Sequence, residues 1–212
     1  MANWAVNRAG VLDRGITLGP AGTERFGMAQ PGDRFEITVR ADAAHPRLSV
    51  ATAIPYANDA FLAFPGQGIR LLGEDGRVRA AADLEREILR ALTVWDAGTE
   101  ANEVPGAEVH AGARAGEPNF GAPDPDARVR RYDDATNDLD EDGVGEVLDL
   151  RIRNTGGSTF EVTVANTSGD TPFPLLVTPF AYAVHEEGVR LFEPGGPPRP
   201  ASRSSRRTAS RA

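Results

Sequence analysis

Hydrophobic and polar residues alternate along several short stretches of this chain, the period-two signature of half-buried strands. Phe35, Ile37 and Val39 alternate with polar or charged residues across 33–40, and Phe160, Val162 and Val164 do so across 158–166. Leu48, Val50, Thr52 and Ile54 share one face of a strand over 47–54, which Pro55 ends. Shorter apolar stretches follow at 61–64 and 69–72, before a turn at 73–76. A further strand is expected at 147–153, and a longer apolar run follows at 175–184. Residues 80–92 differ: Leu84, Ile88 and Leu92 or Ala91 recur at helical spacing, with Asp83, Glu85 and Glu87 towards the N-terminal half, which predicts one helix. Residues 1–32 are mixed and punctuated by Gly10, Gly19-Pro20 and Pro31-Gly32. Residues 101–145 are Pro-, Gly- and Asp-rich without periodicity and predict a long loop. Many short strands separated by turn signals read as all-β, an antiparallel β-sandwich.

Composition sharpens this picture. The 212 residues suffice for one sizeable domain, and 23 Gly with 16 Pro favour turns and short strands over long helices. Every basic residue is Arg, and five of the 23 lie in 199–212, where no acid occurs. Residues 1–198 therefore carry a net charge of −13, against −8 for the whole chain. Such an acidic body repels nucleic acid and anionic membranes and suits divalent cations or high salt. No cysteine is present, so no disulfide framework exists. No apolar run approaches 18 residues, so no membrane insertion is expected. The first ten residues lack the apolar core of a signal peptide, which reads as cytoplasmic unless the start is mis-assigned or the chain is a fragment. The Pro-, Ser- and Arg-rich residues 196–212 predict a disordered tail.

Two acidic constellations carry candidate chemistry. Asn58-Asp59 follows the strand that ends at Pro55, and Trp95-Asp96-Ala97-Gly98-Thr99-Glu100-Ala101-Asn102 forms a second group. Gly98 permits a sharp turn, so Asp96 and Glu100 can converge. Hard cations such as Ca²⁺ take six to eight oxygens from carboxylates, carbonyls and amides. The competing reading makes Asp59 and Asp96 turn residues bonded to their own backbone. The second constellation has Asp138, Asp140 and Asp142 at first, third and fifth places, Gly143 at the sixth and Asp149 at the twelfth. That is the ligand spacing of an EF-hand or dockerin-type loop, although no flanking helices are predicted and Gly145 replaces the usual apolar eighth residue. The alternative is an acidic, solvated loop. His45, His110 and His185 show no ligand spacing, and no GxSxG, P-loop or dinucleotide fingerprint occurs.

Residues 47–65 (RLSVATAIPYANDAFLAFP) followed by 94–102 (VWDAGTEAN) resemble the hallmark of the spondin domain, found in F-spondin, mindin and many prokaryotic proteins. The resemblance covers about residues 30–153. It implies a C2-like antiparallel sandwich with bound Ca²⁺, whose three acidic ligands fall on Asp59, Asp96 and Glu100. Ala57 stands where Ser or Thr is common, Glu100 replaces the Asp of animal members, and their cysteines are absent. Residues 158–195 resemble the start of a prokaryotic spondin domain, ending in FEPG, yet here they follow its end. Either the domain over 1–195 is circularly permuted, or the chain holds one and a fraction copies of a tandem array. Self-association through tandem or swapped strands is then expected. Animal members act in matrix and cell-surface recognition. The resemblance accordingly implies an extracellular, non-catalytic adhesion or interaction module, its partner a cell-surface or matrix protein or a glycan. A structural repeat unit of a surface layer or filament is one alternative. The other is a metal-assisted hydrolase, but the acids come without a positioned base or nucleophile.

Overall fold

The computed structural model describes residues 9–55, 57–102, 121–132, 148–170 and 176–198. Two antiparallel sheets face each other, so the protein is an all-β sandwich with one short helix. The smaller sheet contains β2 (Arg34–Arg40), β9 (Thr159–Asn166) and β8 (Leu148–Gly156), in the order β2-β9-β8. The larger runs β1 (Val11–Ile16), β10 (Ala181–His185), β3 (Arg47–Ala53), β4 (Ala60–Ala63), β6 (Thr93–Asp96) and β7 (Arg130–Arg131), with β5 (Ile69–Arg70) also paired to β3.

The smaller sheet obeys its alternation. Every second residue of β9 is buried, placing Phe160, Val162 and Val164 inward, while Phe35 and Val39 of β2 and Leu148, Leu150 and Ile152 of β8 face the same core. Leu48 and Val50 of β3, Leu62 of β4, Val94 of β6 and Val184 of β10 close that core from the other side. Phe35 meets Phe180 edge-on, with centroids 5.9 Å apart. Each such buried side chain contributes roughly 1.5–3 kcal/mol of transfer free energy. The helix α1 (Ala81–Ala91) adds Leu84 and Ile88 to the core, as its spacing predicted.

The larger sheet is buried on both faces at its centre. Residues of β4 and β6 are buried without alternation, because Phe192 folds over the outer face onto Phe61 and Trp95, with centroids at 5.2 and 4.7 Å. This closure ties down the segment near the chain's C-terminal end. The Gly195 N–H donates to the Val129 carbonyl at 2.7 Å, and the Val129 N–H donates to the Gly196 carbonyl at 2.9 Å. The expected disordered tail therefore has its first residue hydrogen-bonded, and 199–212 lie outside the described residues.

Two strands occupy stretches where none was expected. In β1 the half-buried positions are Val11, Asp13 and Gly15, while Leu12 and Ile16 face out, so its polar pattern is inverted and weak. Within the expected 101–145 loop, Val129 and Tyr132 are buried and β7 pairs with β6, placing Arg130 opposite Asp96. The C-terminal elements are integral to the sandwich: β9 pairs with β2 in the smaller sheet, and β10 lies between β1 and β3 in the larger.

A candidate cation site and a buried histidine

The end of the larger sheet at β4 and β6 brings the first acidic constellation together. Asp59 immediately precedes β4 and Asp96 ends β6, and the register sets Ala60 opposite Asp96. The chain then turns through Gly98, whose φ of 67° is left-handed. A Cβ there would stand 2.4 Å from the Arg128 carbonyl oxygen, so only glycine fits this approach.

That turn is pinned by the two aspartates. Oδ2 of Asp59 accepts the Thr99 N–H at 2.6 Å, the Thr99 hydroxyl at 2.7 Å and the Glu100 N–H at 3.1 Å. Oδ1 of Asp96 accepts the Gly98 N–H at 2.6 Å, and its Oδ2 accepts from Asn102 at 3.0 Å. Glu100 is 2 % exposed, and its Oε1 accepts the Gly121 N–H at 2.8 Å. The turn-residue reading therefore holds for Asp96, which bonds its own turn, whereas Asp59 pins a turn 40 positions further along the chain.

The segment 121–131 supplies what the sequence did not signal. Asp124 is buried, and its Oδ2 and that of Asp96 each lie 2.5 Å from Nη2 of Arg130. Two carboxylates, those of Asp96 and Asp124, thus share the Arg130 guanidinium, while those of Asp59 and Glu100 accept backbone N–H groups of the adjoining turns. Burial pushes the Asp96 carboxyl above the usual aspartate range and Asp59 adds to this, against the Gly98 N–H, Asn102 and Arg130. Among the described residues, two side-chain polar atoms are buried without a hydrogen-bond partner, Oδ1 of Asp59 and Nδ2 of Asn58. Such atoms are rare and call for an explanation. An orphaned carboxylate oxygen among surplus acids fits a cation. As the side chains stand, however, no three His, Cys, Asp or Glu groups among the described residues are arranged to hold a metal ion.

Of the second constellation only Asp149 lies among the described residues. Asp149 sits on β8 opposite Ala165, with its carboxylate 2.7 Å from Arg151, while Asp138, Asp140 and Asp142 lie outside the described residues.

A second buried polar centre lies in the same sheet, and sequence spacing missed it. His185 of β10 and Ser49 of β3 are 0 and 1 % exposed, with His185 Nε2 2.8 Å from Ser49 Oγ. His185 Nδ1 is 2.9 Å from the Glu186 carbonyl, which can only accept, so Nδ1 carries the proton and Nε2 accepts from the serine hydroxyl. Burial lowers the His185 pKa, which favours this neutral form. The two residues are 136 positions apart, so no local pattern could have paired them.

Among the described residues, no helix is long and apolar enough to cross a membrane. No family model, no curated protein and no solved structure matches this chain, so the spondin resemblance stands on the quoted sequence motifs.

Proposed function

We propose that this protein is a non-catalytic, calcium-binding β-sandwich of spondin type that acts outside the cell as an adhesion or interaction module. The observation that carries the reading is the buried, unpartnered Oδ1 of Asp59 in a cluster with more carboxylates than contacting cations. Like charges brought together at low dielectric repel, and a bound divalent ion reverses the sign of that interaction. Asp59, Asp96 and Glu100 are the residues that would hold Ca²⁺, which would supply charge neutralisation and fix the turn through Gly98. The ion's role is then structural: it rigidifies the turns at this end of the sandwich, which are offered to a cell-surface or matrix protein or to a glycan. Calorimetric titration of the wild-type chain with calcium should give at least one site, and Asp59→Asn should abolish it. Unchanged stoichiometry and affinity in Asp59→Asn would remove the support for this site.

The neighbouring alternative is a repeat unit that assembles with copies of itself, and one surface favours it. Among the described residues β1 pairs only with β10, leaving its other edge free. Leu12 and Ile16 on that strand are 44 and 43 % exposed, and Leu18 and Phe26 in the loop after it are 72 and 84 % exposed. Unpaired edges bearing apolar residues favour strand-to-strand association. Sedimentation at rising concentration tests this: self-association that Phe26→Ser removes supports the repeat unit, and a monomer at all concentrations contradicts it.

A further inference from the structure

The strand β10 leaves the larger sheet through a corner at residues 185–187. His185 is set opposite Val11 of β1 on one side and Arg47 of β3 on the other. The Glu186 N–H donates to the Gly10 carbonyl at 2.9 Å. The Glu187 carboxylate accepts from Nε of Arg47 at 2.7 Å and also pairs with Arg70. The chain then crosses the outer face of the larger sheet as a strap over 188–196. The strap is tied to Gly66 through the Leu191 N–H and to Val129 through Gly195 and Gly196. Its Phe192 packs in one buried apolar cluster with Ala51, Phe61, Ala63 and Trp95. Gly68 approaches the same face so closely that a Cβ on it would stand 2.7 Å from Ser49 Oγ, which helps to seal the His185–Ser49 pair from water.

We infer that this corner is an acid-operated latch: protonation of His185 frees residues 186–196 and uncovers the apolar outer face of the larger sheet. The neutral ring is fully used, since Nδ1 donates to the Glu186 carbonyl and Nε2 accepts the Ser49 hydroxyl. A second proton must go on Nε2, where it points at that same hydroxyl 2.8 Å away. Ser49 can then only accept, and its own proton loses the acceptor it had. The new charge also rests on a ring with no exposure to water. Among the described residues, the charged groups around the ring offer little relief. Arg47 of β3 and His45 before it oppose the charge. Glu187 favours it but is already engaged by Arg47 and Arg70. Glu186 and Asp42 lie against His45, at 3.6 and 2.8 Å. Asp13 of β1 is set opposite Val184, so it stands on the other face of the sheet from His185. On the strap, Arg190 and Glu193 pair with each other. The charged ring therefore reaches water only by leaving its seat, which breaks the pairing of residues 185 and 186 with β1 and β3. The strap starts at the next residues and loses its anchored end. The sign follows from burial: the closed state holds the ring below its ordinary 6.5, so the open state binds more protons and acid favours opening.

The test is hydrogen exchange of the full chain, read by mass spectrometry at about pH 7.5 and about pH 5 and corrected for the pH dependence of chemical exchange. In wild type the amides of 189–196 should exchange about tenfold faster at the lower pH, since each pH unit below the ordinary value can raise the opening constant by about tenfold. The amides of β9 in the smaller sheet should keep their protection. Arg47 holds the Glu187 carboxyl below its ordinary 4.5, so Glu187 stays ionised and the response belongs to histidine. His185→Gln has an amide oxygen that can accept from Ser49 but takes no proton, and it should show no acceleration. His185→Asn serves in its place if the glutamine variant does not fold. Equal corrected exchange of 189–196 at the two pH values in wild type overturns the latch. Acceleration of β9 in the same proportion also overturns it, because that is global unfolding. Acceleration that persists in the histidine variant removes His185 as its cause.

Discussion

The larger sheet contains two buried polar centres that solve the same problem in opposite ways. At His185 and Ser49 every polar atom with a described role has a partner and the net charge is zero, because burial favours the neutral imidazole. At Asp59, Asp96, Glu100 and Asp124 the carboxylates outnumber the contacting guanidinium, burial raises the Asp96 pKa, and two atoms are orphaned. The first centre is complete with the chain's own atoms, as a buried hydrogen-bonded pair must be. The second is balanced only in part, and partly satisfied buried networks are the costly ones. The difference teaches where an external cation would act: it has nothing to add at His185 and an orphaned carboxylate oxygen to meet at Asp59.

The largest expected effect is at the complete centre. His185→Ala leaves a void and an unpaired Ser49 hydroxyl, and should destabilise by about 2–4 kcal/mol in chemical denaturation. Its calcium-dependent stabilisation should match wild type, and a lost calcium response would show that the two centres are not independent. Next comes Asp96→Ala, which should forfeit the calcium response. At a hundredfold excess of ion over Kd that response is worth about 2.7 kcal/mol, read as the difference between melts in calcium and in chelator.

Acidity separates the centres by sign. The folded pKa of His185 lies below its ordinary 6.5, so the stability from its neutral form is full above 6.5 and is lost as pH falls from there through the folded value. His185→Asn should flatten that slope, which can reach about 1.4 kcal/mol per pH unit. The folded pKa of Asp96 is raised, so without calcium the folded state gains stability from this group as pH falls through the folded value towards the ordinary 3.8. With calcium bound, the same acidification should remove stability, because the ion needs the carboxylate. Denaturation curves across this range with and without calcium check the reversal, and parallel slopes would contradict it. The smallest effect belongs to Asp149→Ala. Its ion pair with Arg151 is largely exposed, and loss should change stability by less than about 1 kcal/mol.

How far these features were legible depended on whether their cause was local. The strands of the smaller sheet could be read because one face meets the core and the other meets solvent, so Phe160, Val162 and Val164 stand out against their polar neighbours. The helix at Ala81–Ala91 was legible for the same reason. The strand at Val11–Ile16 was not, because it turns Leu12 and Ile16 outward and Asp13 and Gly15 inward, and its pairing with β10 is set by tertiary packing. The turn between Asp96 and Glu100 was legible from Gly98, but Asp59 was read as following the strand that ends at Pro55, and only the spondin resemblance set it with that turn, where its carboxylate accepts from Thr99 and Glu100. Asp124 and Arg130 were not, since they sit in a Pro-, Gly- and Asp-rich stretch that shows no periodicity, and only the pairing of β7 with β6 brings them in. The Ser49–His185 pair depends on β10 lying beside β3, a contact that no local pattern encodes.

The most direct test of the account is a thermal melt of the wild-type chain in millimolar calcium and in excess chelator. If the cluster at Asp59, Asp96 and Glu100 takes a divalent ion, the calcium sample should melt about 5–10 °C higher at a hundredfold excess over Kd. Identical melting temperatures in the two conditions would contradict it.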